Sequence, residues 1–226
     1  NILQSGADEV IVLDDCSTDG SIGVLEQFQI TNSKLQTNSK FKFLKNEKNM
    51  GFIPSANKLF REALGDLVIL LNNDVWVEKD FIKPLLKHFE NESVFAVTLH
   101  EKGEGPAISY WRDGFYEFKR GEESKEVRNS SWASGGSAVY RKRMWDELGG
   151  FDSLFAPFYW EDIDLSFRAI RAGYEILWEP DSKVKHEHET TIKKNFSEKY
   201  IRWVQERNQL LFIWKNISDS KLKSEH

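Results

Sequence analysis

The sequence predicts an α/β domain built on a mostly parallel sheet flanked by helices. Three observations carry that expectation. Strand-like and helix-like segments alternate regularly as far as His100, the strands are short apolar runs, and the principal runs stop abruptly at Asp, Asn and Ser. An apolar run without polar alternation suits a strand buried on both faces. In open α/β sheets ligands bind beyond the carboxyl ends of the strands, so the polar residues that end these runs are the candidates for chemistry.

The opening residues Asn1–Ala7 read as a helix end with Gly6 as its cap, followed by a strand over Glu9–Asp14. That strand runs into Asp14-Asp15-Cys16-Ser17-Thr18-Asp19-Gly20-Ser21, a turn, and then a helix through Phe28, which is half of a βαβ unit. A second strand, Phe41–Leu44, leads through the loop Asn46–Gly51 into a helix over Pro54–Leu64 stopped by Gly65. The third strand is Leu67–Leu71, ending in Asn72-Asn73-Asp74, with a helix predicted over Lys79–Glu90 and a strand over Val94–Leu99. Beyond His100 the pattern changes. Glu101–Ser131 is rich in Gly, charge and aromatic residues, which predicts a small antiparallel part and a mobile loop over Gly121–Asn129. Then follow a strand-like Trp132–Tyr140, a short helix Arg143–Leu148 ended by Gly149-Gly150, and a helix over Glu161–Ala172. Strands at Glu175–Trp178 and Val184–His188 and a terminal helix over Tyr200–Trp214 complete the pattern.

Composition narrows the function. With 226 residues, 40% hydrophobic and 30% charged, the chain has material for a sizeable core. A net charge of -5 argues against a nucleic-acid surface as the main partner. Eight Trp and sixteen Phe are compatible with a carbohydrate cleft as well as with a core. The single cysteine, Cys16, leaves no intramolecular disulfide and suits a reducing, cytoplasmic compartment. No apolar run is long enough to span a bilayer, and the start of the chain does not read as a signal peptide.

Three acidic clusters fall at element ends: Asp14/Asp15, Asp74 and Glu161/Asp162. Asp74, beside two amides at a strand end, suits a divalent cation shared with a phosphorylated ligand, and equally suits a polar turn that caps a helix. A carboxylate of the Asp14/Asp15 pair suits the ring N–H of uracil or thymine, although an Asx-turn that caps the next helix is the commoner use of such residues. Glu161 and Asp162 complement a helix N-terminus. They also follow the aromatic run Phe155-Ala-Pro-Phe-Tyr-Trp160, which would desolvate a carboxylate and make it a better general base. His186 and His188 alternate on one strand and offer metal-binding imidazoles. The terminal helix offers Trp203, Leu210, Phe212 and Trp214 beside Lys and Arg, either for packing or for a peripheral membrane contact.

In this order the segments resemble the family 2 glycosyltransferases of the GT-A fold, in particular bacterial rhamnosyltransferase-like members. The resemblance rests on Val12–Ser21, Asn49-Met-Gly-Phe52 with Asn57, the DXD-like Leu71-Asn-Asn-Asp74, Gly149-Gly-Phe-Asp152, Trp160-Glu-Asp-Ile-Asp-Leu165 with Arg168, and Val184-Lys-His186 before Thr190-Thr191. It implies an inverting, metal-assisted transfer from a nucleotide-diphosphate sugar of the dTDP-rhamnose or UDP-hexose class to a glycan or lipid-linked acceptor. The implied setting is cell-surface polysaccharide synthesis at the inner face of the membrane.

It further implies that Asp14, Asp15, Ser17, Asn49, Gly51, Asn57, Asn73 and Asp74 bind the donor. Asp74 and His186 would hold Mg2+ or Mn2+, and Asp162, with Glu161, would act as the base. Trp132, Tyr159, Trp160 and Arg168 would lie on the acceptor side. Residues 1–99 then form the nucleotide-sugar half, 100–191 the acceptor and catalytic half, and 192–226 a C-terminal helix and tail. The family begins with one further strand, so the chain is expected either to be a fragment of a longer gene product or to have its sheet completed in another way, for instance by a partner chain in a dimer. A nucleotidyltransferase would carry a Gly-rich loop with Arg and Lys, which this chain does not show. A non-catalytic nucleotide-sugar or glycan-binding module is the other alternative.

Overall fold

Val10–Asp14 (β1) and Phe41–Lys45 (β2) form a parallel two-stranded ladder with Val10 opposite Phe41, and helix α1, Ser21–Thr31, connects towards β2. The computed structural model describes residues 2, 5–31, 41–186 and 192–226. The expectations on Asn1, Leu3, Gln4, Glu187, His188, Thr190 and Thr191 lie outside the described residues.

The larger sheet contains β3 (Leu67–Leu71), β9 (Ser137–Arg141), β5 (Val94–Glu101), β10 (Glu175–His186) and β4 (Val75–Val77) in that order, with β8 (Arg128–Asn129) also on β10. Strands β3, β5 and β10 point the same way, as the alternating pattern predicts. Strand β9 enters between β3 and β5 in the opposite sense, so its two ladders are antiparallel while β5–β10 is parallel. Among the described residues β1 pairs only with β2 and β3 only with β9, so the two sheets are not hydrogen-bonded to each other. Ala107–Arg112 (β6) and Phe115–Arg120 (β7) form the antiparallel hairpin expected within Glu101–Ser131.

Both faces of the larger sheet are covered. On β9, Ala138 and Tyr140 enter a core with Phe60, Phe95, Trp145, Phe155 and Phe212, while Val139 points to a second core with Phe81, Leu85 and Val97. That alternation across two buried faces is why the strand segments read as unbroken apolar runs.

Several boundaries move. The helix expected over Pro54–Leu64 is α2, Phe52–Glu62; it starts at Gly51, whose φ of 81° only glycine adopts easily, and ends at Ala63 rather than Gly65. The helix expected over Lys79–Glu90 is confined to Lys83–Leu86 (α3) and a 3-10 turn over Lys87–Glu90, because β4 occupies the residues after Asp74. Only Ser137–Arg141 of Trp132–Tyr140 is strand. The two strands expected over Glu175–His188 are one, β10, bulged between Glu179 and Lys183. Helices α4 (Lys142–Leu148), α5 (Glu161–Arg171), the short α6 (Ile192–Asn195), α7 (Glu198–Asn216) and α8 (Ser220–Glu225) complete the described chain. No helix among the described residues is long and apolar enough to cross a membrane.

Candidate active site

The turn after β3 leads directly into β4, so Asp74 is not a helix cap. Strand β4 lies antiparallel on β10 with Val75 opposite His186, and this register brings Asp74 beside the histidine. His186 Nε2 is 3.0 Å from Asp74 Oδ1. Strand β5 ends against the same part of β10, with Glu101 opposite Val184, and Glu101 Oε2 is 3.8 Å from His186 Nδ1. Sequence reasoning missed Glu101; its position at a strand end two residues past the predicted boundary was the available signal.

Two donors that bind one small divalent cation at about 2.1 Å and at right angles stand about 3 Å apart, so the Asp74–His186 spacing fits a shared ion. No three His, Cys, Asp or Glu side chains among the described residues form a complete metal cage. A carboxylate and an imidazole with open positions suit a cation that fills its shell with phosphate and water.

The second carboxylate site starts α5. Asp162 Oδ2 accepts from the Gly135 N–H at 3.0 Å and Oδ1 from the Ile163 N–H at 2.8 Å. Burial raises its pKa above the ordinary aspartate value, opposed by those two N–H donors and by Arg120. Glu161 is 7% exposed, and its Oε2 has no hydrogen-bond partner. Burial, reinforced by the Asp162 charge, pushes Glu161 up to about 8.

The next glycine links this site to the first. The Gly136 carbonyl accepts from the Asn72 N–H at 2.9 Å, and a Cβ at Gly136 would overlap the Asn72 amide. Adjacent residues thus hold Asp162 on one side and the Asn72–Asp74 turn on the other.

Tyr159 and Trp160 enter α5 with φ of 69° and 78°, a left-handed conformation that is strained for aromatic side chains. The buried Asn208 of α7 holds that turn. Its Nδ2 donates to the carbonyls of Phe155, Phe158 and Tyr159 at 2.8, 3.0 and 2.8 Å, and Arg207 donates to Asn208 Oδ1 and to the Ala156 carbonyl. Sequence reasoning missed Asn208, because nothing local marks a residue whose partners lie some fifty positions away.

Beside Asp162 opens a cavity of about 550 Å3 walled by Phe118, Trp132, Tyr159 and Trp160 on one side and by Gln205 and Gln209 of α7 on the other. Trp132 and Trp160 are largely buried, each meeting Phe118 in a T-shaped contact.

At the end of β1, Asp14 Oδ2 accepts from the Ser17 N–H at 2.9 Å, an Asx-turn. Asp15 ties the next loop: Oδ1 accepts from Asn46 Nδ2 and the Met50 N–H, both at 2.8 Å, and Oδ2 from the Gly51 N–H at 2.7 Å. Asn49 Oδ1 also accepts from Gly51, within the turn, and Asn73 is exposed.

Two further expected site residues make structural contacts in the fold. Asn57 uses both ends of its amide on the Phe151 backbone, at 3.0 and 2.8 Å, so it fastens α2 to the segment after the Gly149-Gly150 turn. Arg168 binds the Leu148 and Gly150 carbonyls and the fully buried Asp164, so it fastens α5 to the end of α4.

A sheet whose strand ends bring Asp74 against His186, linked by two glycines to a desolvated carboxylate on a helix, has the architecture of the GT-A glycosyltransferases. Solved structures agree on the fold. GalNAc-T7 with UDP, GalNAc and Mn2+ superimposes with a TM-score of 0.73 at 18% identity, over 96% of this chain and 47% of that one. A mannosyltransferase from Pyrobaculum calidifontis in complex with GDP-Man and Mn2+ gives 0.62 at 18% identity, over 84% of this chain and 52% of that one. Residues 2–149 match glycosyl transferase family 2, and the chain belongs to that family.

Among curated relatives, N-acetylgalactosaminyltransferase 7 of Drosophila melanogaster is 24% identical over 213 residues, 83% of this chain and 35% of its own length. The O-antigen chain rhamnosyltransferase WbaN of Salmonella anatum is 26% identical over 200 residues, 83% of this chain and 59% of its own. The chain therefore spans between about a third and three fifths of the length of these relatives.

Proposed function

We propose that this chain transfers a sugar, with inversion, from a nucleoside-diphosphate donor of the dTDP-rhamnose or UDP-hexose class to a glycan or lipid-linked acceptor in surface polysaccharide synthesis. The observation that carries the proposal is the glycine bridge, which holds Asp162 and the Asp74 turn at adjacent residues. Inversion needs a base on the acceptor side and charge stabilisation on the opposite side, where the diphosphate leaves. Asp162 accepts the acceptor hydroxyl proton as that oxygen bonds to the anomeric carbon and the bond to the diphosphate oxygen breaks. Asp74 and His186 hold Mg2+ or Mn2+, which when bound neutralises charge on the departing diphosphate. The Mn2+ held by GalNAc-T7 and by the Pyrobaculum calidifontis mannosyltransferase supports a divalent cation. Asp15 keeps a free lone pair on Oδ2 for a base N–H while it fixes the Asn46–Gly51 loop. The cavity beside Asp162, with aromatic walls and glutamine amides, suits a sugar acceptor.

The test is release of nucleoside diphosphate from dTDP-rhamnose, UDP-hexoses and GDP-mannose, with Mg2+ or Mn2+ and saccharide acceptors. Release with one donor, lost in Asp162→Asn, supports transfer. Nucleotide binding without release from any donor favours the non-catalytic binding module.

A further inference from the structure

The surface from Ile192 to Trp203 plays no part in the proposed chemistry, yet it exposes large rings. Phe196, Tyr200 and Trp203 are 39%, 38% and 52% exposed. They form a row: Phe196 stacks on Tyr200 at 5.3 Å, and Tyr200 meets Trp203 at 5.9 Å. The buried Phe158 supports the row from beneath, 5.2 Å from Phe196 and 6.5 Å from Tyr200, and Arg207 lies over the Trp203 ring.

Exposed cations interleave with the rings. Unlike Lys215, which pairs with Asp152 and Asp164, Lys194, Lys199 and Arg202 form no ion pair among the described residues. Residues 192–203 carry four cations against Glu198, a local charge of +3 on a chain whose total is -5.

A sugar-binding platform needs an open ring face, and here the rings are turned on one another. Aromatic edges with unpaired Lys and Arg are what a headgroup layer of anionic lipid accommodates: rings settle at the apolar–polar boundary and cations meet the negative surface. Of the residues the sequence offered for such a contact, Trp203 belongs to this face, whereas Phe212 of α7 is fully buried in the core. Arg202 also lines the cavity beside Asp162, so the basic aromatic face borders its mouth.

We propose that the face formed by Lys194, Phe196, Lys199, Tyr200, Arg202 and Trp203 docks on an anionic lipid surface. Docked in this way, the chain presents the cavity beside Asp162 to that surface. The link to a lipid-linked acceptor rests on the transferase reading; the docking itself does not.

The experiment is co-sedimentation of the full chain with phosphatidylcholine vesicles, and with vesicles in which about a third of the lipid is phosphatidylserine. Binding is expected on the anionic vesicles alone. The triple variant Lys194→Glu, Lys199→Glu, Arg202→Glu is expected to weaken it roughly a hundredfold. Tyr200→Ser with Trp203→Ser is expected to weaken it about tenfold or more, with the melting temperature of both variants within a few degrees of the parent. No binding to anionic vesicles overturns the proposal. So does binding that survives charge reversal, or binding that soluble polyglutamate displaces equally well in the parent and the aromatic variant, which would mark an acidic protein partner instead. Nucleotide binding, measured on the same preparation, separates failure here from failure of the transferase reading.

Discussion

His186 Nε2 lies 3.0 Å from Asp74 Oδ1, joining residues 112 positions apart. The antiparallel register of β4 on β10 produces that contact. It turns two polar residues, each with an ordinary local explanation, into a contacting carboxylate–imidazole pair, which the proposed function assigns to one cation. The glycine bridge then relates this pair to Asp162, and the predictions follow from those contacts.

Asp162→Asn keeps the size of the side chain and one of the two oxygens that accept from the Gly135 and Ile163 N–H groups, but removes the base. Turnover is expected to fall by about 10²–10⁴, with nucleotide affinity changed less than about threefold. Because burial raises the Asp162 pKa, the acid limb of the parent's kcat/KM profile should lie above the ordinary value of 3.8. A limb at or below that value would mean that another group takes the proton.

Glu161 holds its proton more tightly in the folded chain than in the unfolded one, with its pKa raised from 4.5 to about 8. Between those values unfolding releases a proton, so this group's contribution to stability is full below about 4.5 and is lost as pH rises through about 8. Glu161→Gln should flatten the fall in melting temperature over that window and leave the variant more stable than the parent at pH 9. Parallel profiles would contradict the assignment.

The strand ends were legible in the sequence because buried apolar runs must stop where the chain meets polar chemistry, as at Leu71 and Asp14. The reversal of β9 was not, since side-chain periodicity carries no direction. Strand β10 read as two because Glu179-Pro180-Asp181 breaks its apolar pattern, and the bulge there keeps the strand whole. Glu179 is buried in that bulge and bonded to His88, a pairing that no local pattern announces. Asn57 and Arg168 sit among the family's motifs, and their contacts with the Phe151 backbone and with the Leu148 and Gly150 carbonyls are ones that only the folded chain brings near.

Gly136→Ala places a Cβ against the Asn72 amide. The overlap is expected to lower stability by about 1–3 kcal/mol, read by urea unfolding. It should also weaken cation-dependent nucleotide binding, because Asn72 opens the Asp74 turn. Gly135→Ala, whose Cβ would stand 3.4 Å from Asp162, should be milder. Equal effects would argue against the bridge.

Asn208→Ala leaves the carbonyls of Phe155, Phe158 and Tyr159 without their shared donor. A loss of about 1–3 kcal/mol in stability is expected. The left-handed Tyr159–Trp160 turn should loosen, so kcat should fall more than KM for the donor rises. Nuclear magnetic resonance of the Trp160 indole would report the loosening, and an unchanged spectrum would refute it.

The most direct measurement is a thermal shift with UDP, dTDP and GDP, each with and without Mn2+, on the parent, Asp74→Ala and His186→Ala. At a hundredfold over its dissociation constant a ligand adds about 2.7 kcal/mol, or roughly 5–10 °C for a chain of this size. The account predicts a Mn2+-dependent rise with one nucleotide that both variants lose. A rise that needs no cation, or that survives in both variants, would contradict the shared-cation site.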